Sequence, residues 1–550
     1  MRSLALTAER GTHTGLTQIA GFGIVPAIPG QPRTVPAMPL TLLANAAPAT
    51  AEAAALQSAP QYFQWLHSWL PAPFFHTQAF LLFFAGVFCL YWMIPRRWQM
   101  TRICLLVVAS FHFYAAWSFE LAFLVTGTTL ADYLFGRAMG ILEKRRWRLS
   151  VMIASITMNL GILCYFKYRG FFLNELFDGL TRLGYDPGYQ KLNPLALFIP
   201  FGISFYTFEA ISYAVDVYKR KIPAEKSLPR FLLFILFFPH LVAGPIVRAG
   251  DFLRQTHRPK RWNWLRAQVG VQLFLMGVFK KLAIADRMAQ FCDPVISNPE
   301  AYGTGTCWLA VLAYAIRIYC DFSGYSDMAL GLAHLLGYKL TNNFAMPYMS
   351  MNVTEFWRRW HISLSTWLRD YIFIPCGGSR GGRLLTYRNL MITMVLGGLW
   401  HGAAWGYILW GVAHGLMLVI HKQFKDYCEN KPRLSAALES GVGTVARVFV
   451  TFLCVSLCWV LFQPELSKAL EMYRQLFSIH RGLALPLPNK SLWVLAGFVL
   501  LCHVLVRTGL WDKLYPRLPA PVLGTGYAVC LCTAMLLAPD TSTTFIYFQF

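Results

Sequence analysis

About eleven mainly apolar runs dominate this 550-residue chain, near positions 79–95, 103–118, 120–136, 151–166, 195–218, 268–285, 306–336, 388–421, 446–462, 491–507 and 521–538. A helix needs roughly 20 mainly apolar residues to cross a bilayer, where no water is present to satisfy an open backbone. The expected fold class is therefore all-α: a polytopic membrane protein of about eleven transmembrane helices, some tilted or broken. A composition of 56% hydrophobic and 14% charged residues excludes an ordinary soluble enzyme.

The formal net charge is +23. Nucleic acid is a poor partner for it, because the basic residues fall in short clusters between apolar spans rather than in one basic domain. They read as topology signals together with an anionic ligand. Arg96, Arg97 and Arg102, then Lys144, Arg145, Arg146 and Arg148, mark two loops as cytoplasmic by the positive-inside rule. The first span would then start outside.

Residues 1–77 are rich in Ala, Pro, Thr and Gly, hold no apolar run long enough for a signal-peptide core, and are expected to form a disordered tail. A single membrane domain follows over 78–550, with no linker or internal repeat. The thirteen cysteines show no CxxC pair and no zinc-type ligand spacing, so neither a disulfide framework nor a metal site is expected.

Two stretches break the pattern of simple spans. In Phe237-Phe238-Pro239-His240-Leu241-Val242-Ala243-Gly244-Pro245-Ile246, two prolines and a glycine interrupt an apolar run. A re-entrant segment lining a cavity fits better than a straight crossing. In the second, Phe356, Trp360, Leu364, Trp367 and Tyr371 recur at three and four residues as one apolar helical face, with Arg358, His361, Ser365 and Arg369 on a polar one. Such a helix suits a membrane interface or a funnel wall.

Ionisable residues inside apolar runs are costly and usually functional. His401, within Gly397-Gly398-Leu399-Trp400-His401-Gly402, leads the candidates, since imidazole exchanges protons near neutral pH. The alternative is a histidine hydrogen-bonded between helices. Gly397, Gly398 and Gly402 would let a substrate tunnel pass close to the backbone. His361 ranks second. His414 stands thirteen residues beyond His401, on another face of an unbroken helix, and reads as structural unless the helix breaks. Arg317 and Asp321, four apart, would neutralise each other. Asp327 has no evident local partner and is open for a proton or hydrogen-bond role. Arg358, Arg359 and Arg369 would meet phosphate, carboxylate or lipid head groups.

Together these stretches resemble the bacterial branch of the membrane-bound O-acyltransferase family, which includes alginate O-acetylation and teichoic-acid D-alanylation membrane proteins. The resemblance runs from about residue 79 to the C-terminus. It is carried by Ile199 to Phe208, Phe238 to Ile246, Asp321-Phe322-Ser323-Gly324-Tyr325-Ser326-Asp327, the Phe356 to Tyr371 helix, Gly397 to Gly402 and the terminal Phe545-Ile546-Tyr547-Phe548-Gln549-Phe550.

The resemblance implies a helical fold with re-entrant and horizontal helices, thinned in the middle so that a cytoplasmic funnel reaches an extracytoplasmic one. The family's nearly universal histidine maps onto His401 and its second recurrent histidine onto His361. Thioester-to-hydroxyl transfer needs a base, oxyanion stabilisation and a cationic mouth for the donor's phosphates. His401 would be the base, with His361 and Asp327 as helpers and Arg358 and Arg359 binding the donor. No cofactor is implied beyond acetyl-CoA as co-substrate.

The aromatic ending is similar to that of alginate and cellulose acetylation members. The implied protein is then an inner-membrane acetyltransferase serving an exopolysaccharide together with a periplasmic acetyltransferase partner. Tyr547 could relay the acyl group, although an aromatic terminus packing at the membrane interface explains it equally. Cys376, where relatives usually carry leucine, and the N-terminal tail depart from the family pattern. A polysaccharide or lipid-linked sugar transporter, or transfer of D-alanine or another acyl group to a different acceptor, are the alternatives.

Overall fold

The computed structural model describes residues 75–185, 200–484, 489–538 and 545–546. The expected tail lies outside them except for its last three residues, and Tyr547 lies outside them as well. The described residues are helical nearly throughout, and the β-pairing they contain is an isolated bridge between Tyr302 and Leu483.

Among the described residues, five helical stretches are long and apolar enough to cross a membrane: Arg145–Arg182, Trp264–Ser297, Gly441–Val460, Lys490–Arg507 and Ala520–Leu537. Gln78–Met93 and Arg96–Ala115 together make a sixth, bent by 113°. The other expected runs are helical too, but shorter, broken or charged. Thr304–Leu335 carries Arg317, Asp321 and Asp327, and the expected crossing at 388–421 is two helices, Arg383–His401 and Trp405–Glu429.

The helix ends sort onto two faces. On the basic face, Arg148 donates to the carbonyls of Val217 and Tyr218, Arg102 to that of Lys260, and Arg507 to the Glu355 carboxylate. On the opposite face Lys167 reaches His401, Tyr114 reaches Phe201, and Trp405 reaches Glu175.

The re-entrant reading of 237–246 is matched by the short helices Leu228–Leu236 and Phe238–Leu241 followed by extended chain, with residues 233–247 all buried. Side chains meet its freed N–H groups, as an apolar setting demands. Phe238 N–H donates to Ser110 Oγ at 3.1 Å, Ile246 N–H to Ser363 Oγ at 3.0 Å, and Val247 N–H to Glu209 Oε1 at 2.7 Å. Glu209 also lies 3.4 Å from His240 Nδ1, so one carboxylate clamps the segment to the Ile203–Tyr218 helix.

Buried charges are paired differently from the local sequence expectation. Arg317 pairs with Asp293 rather than with Asp321, and Asp321 meets Lys281 at 2.8 Å. Lys281 also contacts Asp286 at 2.8 Å. Asp327, expected to lack a local partner, bonds Lys280 Nζ at 2.6 Å. A π-helical stretch at Lys280–Ala285 presents the two consecutive lysines to these partners. Four-residue spacing cannot reveal contacts made between helices.

Candidate active site

The expected amphipathic helix over Phe356 to Tyr371 is broken at its centre. Asn352 caps Val353–Arg359, accepting from Glu355 N–H at 2.8 Å, and Ile362–Leu368 begins anew after His361. His361 is left-handed, with φ +43°. That conformation is unfavourable for a residue with a Cβ and persists only where its surroundings impose it.

Asn343 braces the turn. Its carbonyl accepts from Ile362 N–H at 2.9 Å, and its Oδ1 accepts from Ser363 Oγ at 2.7 Å. The apolar face matches the expectation, with Phe356, Trp360, Leu364 and Trp367 buried, but His361 leaves the polar face and is wholly buried.

The second break follows His401, which ends the Arg383–His401 helix, and Gly402 is extended. The chain then turns back into Trp405–Glu429. A Cβ on Gly398 would collide with the Tyr407 carbonyl and one on Gly411 with that of Met394, so the two helices cross backbone against backbone. The expected role of Gly397, Gly398 and Gly402 in opening a tunnel is replaced by packing against Leu368 and Tyr407.

Both breaks converge. The His361 and His401 rings lie 6.5 Å apart between centroids, each with an aromatic wall. His401 is edge-on to Trp400, Trp410 and Phe462 at 4.9–5.0 Å. His361 is edge-on to Phe322 at 4.7 Å and to Trp400 at 5.8 Å. The helix does break before His414, which packs 4.7 Å from Trp410, on a ring that also touches His401. At a centroid separation of 6.5 Å the two imidazoles are close enough to serve one reaction.

Sequence reasoning missed Lys167. It lies in a π-helical stretch, Cys164–Tyr168, and its ammonium donates to the carbonyls of Trp400 and His401 at 2.8 and 2.9 Å, and to Ser204 Oγ at 3.2 Å. Tyr168 OH donates to the Leu399 carbonyl at 2.9 Å. The last turn of the His401 helix thus has a cation on the carbonyl oxygens it leaves unbonded. A lysine at the end of an apolar run, two residues before Arg169, was the available signal, and it reads as an ordinary span-end charge.

Of the remaining candidates, Arg359 is engaged by Glu355 at 2.9 Å and by the Ala345 carbonyl, and Arg358 is exposed. Asp327 is held by Lys280, away from the histidine pair in sequence and bonding. Phe545 and Ile546 reach the same core. Ile546 N–H donates to Asp321 at 2.7 Å, and Phe545 stacks 4.8 Å from Tyr325 and lies 6.2 Å from Phe322, the ring against His361.

Residues 156–462 match the model of MBOAT, the membrane-bound O-acyltransferase family. The chain is 41% identical to the probable alginate O-acetylase AlgI of Pseudomonas aeruginosa over 420 residues, covering 74% of this chain and 75% of that protein. It is 32% identical to the peptidoglycan O-acetyltransferase of Helicobacter pylori, covering 70% and 75% respectively. It is 31% identical to the teichoic acid D-alanyltransferase of Streptococcus thermophilus, covering 48% and 68%. The chain therefore belongs to the membrane-bound O-acyltransferase family and is a multi-pass membrane O-acyltransferase.

Proposed function

We propose that this O-acyltransferase takes acetyl from acetyl-CoA on the cytoplasmic side of a bacterial inner membrane and delivers it outward for O-acetylation of an exopolysaccharide such as alginate or cellulose. The observation that carries the reading is the pair of buried histidines at two helix breaks, in a chain 41% identical to a probable alginate O-acetylase. A histidine held only for packing would not call for a left-handed backbone at His361.

In this reading a hydroxyl oxygen attacks the thioester carbonyl while His401 takes its proton. The tetrahedral intermediate collapses with loss of the thiolate, and the imidazolium returns the proton to sulfur, leaving an O-acetyl ester and free thiol. His361 orients the hydroxyl from the other side of the gap. Lys167 fixes the end of the His401 helix and thereby the imidazole. Exposed Arg358 on the basic face, more than Glu355-bound Arg359, contacts the donor's phosphates. Asp327, paired with Lys280, serves the fold.

The first acceptor hydroxyl in this scheme belongs to Tyr547, two residues beyond Phe545. Its acetylated phenol hands the group on to the polysaccharide, or to a periplasmic acetyltransferase partner, and is regenerated. The support is that Phe545 lies 6.2 Å from the Phe322 ring that touches His361, and that Ile546 N–H is held by Asp321 beside it in the chain.

The test is transfer of labelled acetyl from acetyl-CoA by membranes containing the protein and its native partners. Labelled polymer is expected, with Tyr547→Phe abolishing it. Full transfer by Tyr547→Phe removes the relay. Labelling by a D-alanyl carrier but not by acetyl-CoA would favour the chemistry named for the Streptococcus thermophilus relative.

A further inference from the structure

The connection between Ala249–Thr256 and Trp264–Phe279 bounds a cavity of about 700 Å³ on the basic face, well away in sequence from the histidine pair. Arg254, Arg258, Lys260, Arg261 and Arg266 line it, with Asp251 as the carboxylate among its lining residues. Asp251 is taken by Arg254, at 3.4 Å.

The wall is built rather than loose. Arg102 donates to the Lys260 carbonyl at 3.0 Å, Arg266 to the Gly337 carbonyl at 2.8 Å, and Gln255 exchanges hydrogen bonds with the Lys339 backbone at 2.9 and 2.8 Å. Burial and the charges of Arg266 and Arg258 pull the Lys260 ammonium down to about 8, as expected of cations gathered without a counter-charge.

The rim shows where this cavity sits. Trp92, Trp262 and Trp264 pack edge to face at 5.1–5.2 Å, and Trp264 and Leu265 are 78% and 70% exposed. Clustered tryptophans beside exposed leucine and arginine mark a membrane–water boundary. Guanidinium forks match phosphate oxygens.

We propose that this cavity binds the phosphate of an anionic phospholipid, whose acyl chains lie along the apolar rim at Trp262, Trp264 and Leu265. A soluble phosphate ester could offer the same chemistry at the phosphate alone. The apolar rim at the membrane boundary gives a ligand with acyl chains a contact that a soluble ester cannot make.

The test is native mass spectrometry of the full-length protein in detergent with added phosphatidylglycerol or phosphatidylcholine, and with 3′,5′-adenosine diphosphate as the soluble competitor. Retention of phosphatidylglycerol over phosphatidylcholine is expected, unaffected by the nucleotide. Arg258→Ala with Arg261→Ala should weaken it about 30-fold, taking each surface cation at its usual worth. Arg258→Lys with Arg261→Lys should retain most of it and shows that loss in the alanine pair is a matter of charge, not folding. Arg433→Ala, on exposed chain elsewhere, should change nothing. Equal retention of both lipids, or indifference to the alanine pair, overturns the proposal. Displacement by the nucleotide overturns the lipid assignment and gives the cavity to a soluble phosphate ester.

Discussion

The ammonium of Lys167 donates to the main-chain oxygen of His401 at 2.9 Å, joining residues 234 apart in sequence. That bond, with those to Trp400 and Ser204, ties the end of one apolar helix to a lysine on another and leaves the imidazole little freedom. Lys167→Met keeps the bulk and removes the donor. It leaves the Trp400 and His401 carbonyls without their cation at a cost of about 1–3 kcal/mol. A lower melting temperature in detergent and a drop of at least about tenfold in acyl transfer are expected, since 1.36 kcal/mol is tenfold in rate. Full activity would show that the lysine does not position His401.

His361 pays for its place with a left-handed backbone. His361→Ala and His361→Gly both delete the imidazole and its contacts with Phe322 and Trp400, so their difference isolates the backbone. The glycine variant should be the more stable by about 1 kcal/mol, as read by thermal unfolding in the same detergent. Both should lose most of the transfer activity. Equal stability would mean that the turn carries no strain.

Asp327 and Lys280 form a half-buried pair at 2.6 Å. If the pair is structural, Asp327→Asn and Lys280→Met each destabilise by leaving a charge unmatched, while the double variant recovers much of the loss, a coupling of about 0.5–3 kcal/mol in the thermodynamic cycle. Activity should follow stability across the set. Loss of activity in a double variant that folds normally would return Asp327 to the catalytic step.

Lys260 is held down to about 8 by its burial and by Arg266 and Arg258. The guanidiniums of Arg254, Arg258, Arg261 and Arg266 around it do not titrate in this range, and Asp251 is paired with Arg254. Below pH 8 the lysine is an ammonium and adds to the attraction for an anion; above it the charge is lost. Phosphatidylglycerol retention should fall about threefold to fourfold between pH 7 and pH 9, most of the worth of one surface cation. Lys260→Met should remove the slope, and a wild-type slope of the opposite sign would contradict the assignment.

The long apolar runs were legible because a bilayer demands them, and the Pro/Gly-interrupted segment at 237–246 and the lone His401 because each is a local violation of what a membrane helix tolerates. The apolar face from Phe356 to Trp367 was legible from its spacing. What periodicity could not show is where a helix stops without a proline. His361 and Gly402 are such points, and they turn one expected helix and one expected crossing into the two breaks that meet at the site. Pairing was equally hidden. Arg317 finds Asp293, Asp321 finds Lys281 and Asp327 finds Lys280, all on other segments of the chain. Lys167, with Arg169 two residues on, reads as an ordinary charge at the end of an apolar run, and its partners are backbone carbonyls that no side-chain pattern encodes.

The most direct test of the account is acyl transfer from labelled acetyl-CoA by membranes holding equal amounts of the intact protein, His401→Ala and His361→Ala, each with its native partners. The account predicts labelled product from the intact protein, a loss of about 10²–10⁴-fold in His401→Ala as expected for removal of a general base, and a clear but smaller loss in His361→Ala. Undiminished label in a properly folded His401→Ala would contradict it, because the acceptor's proton would then be taken by a group other than the assigned base.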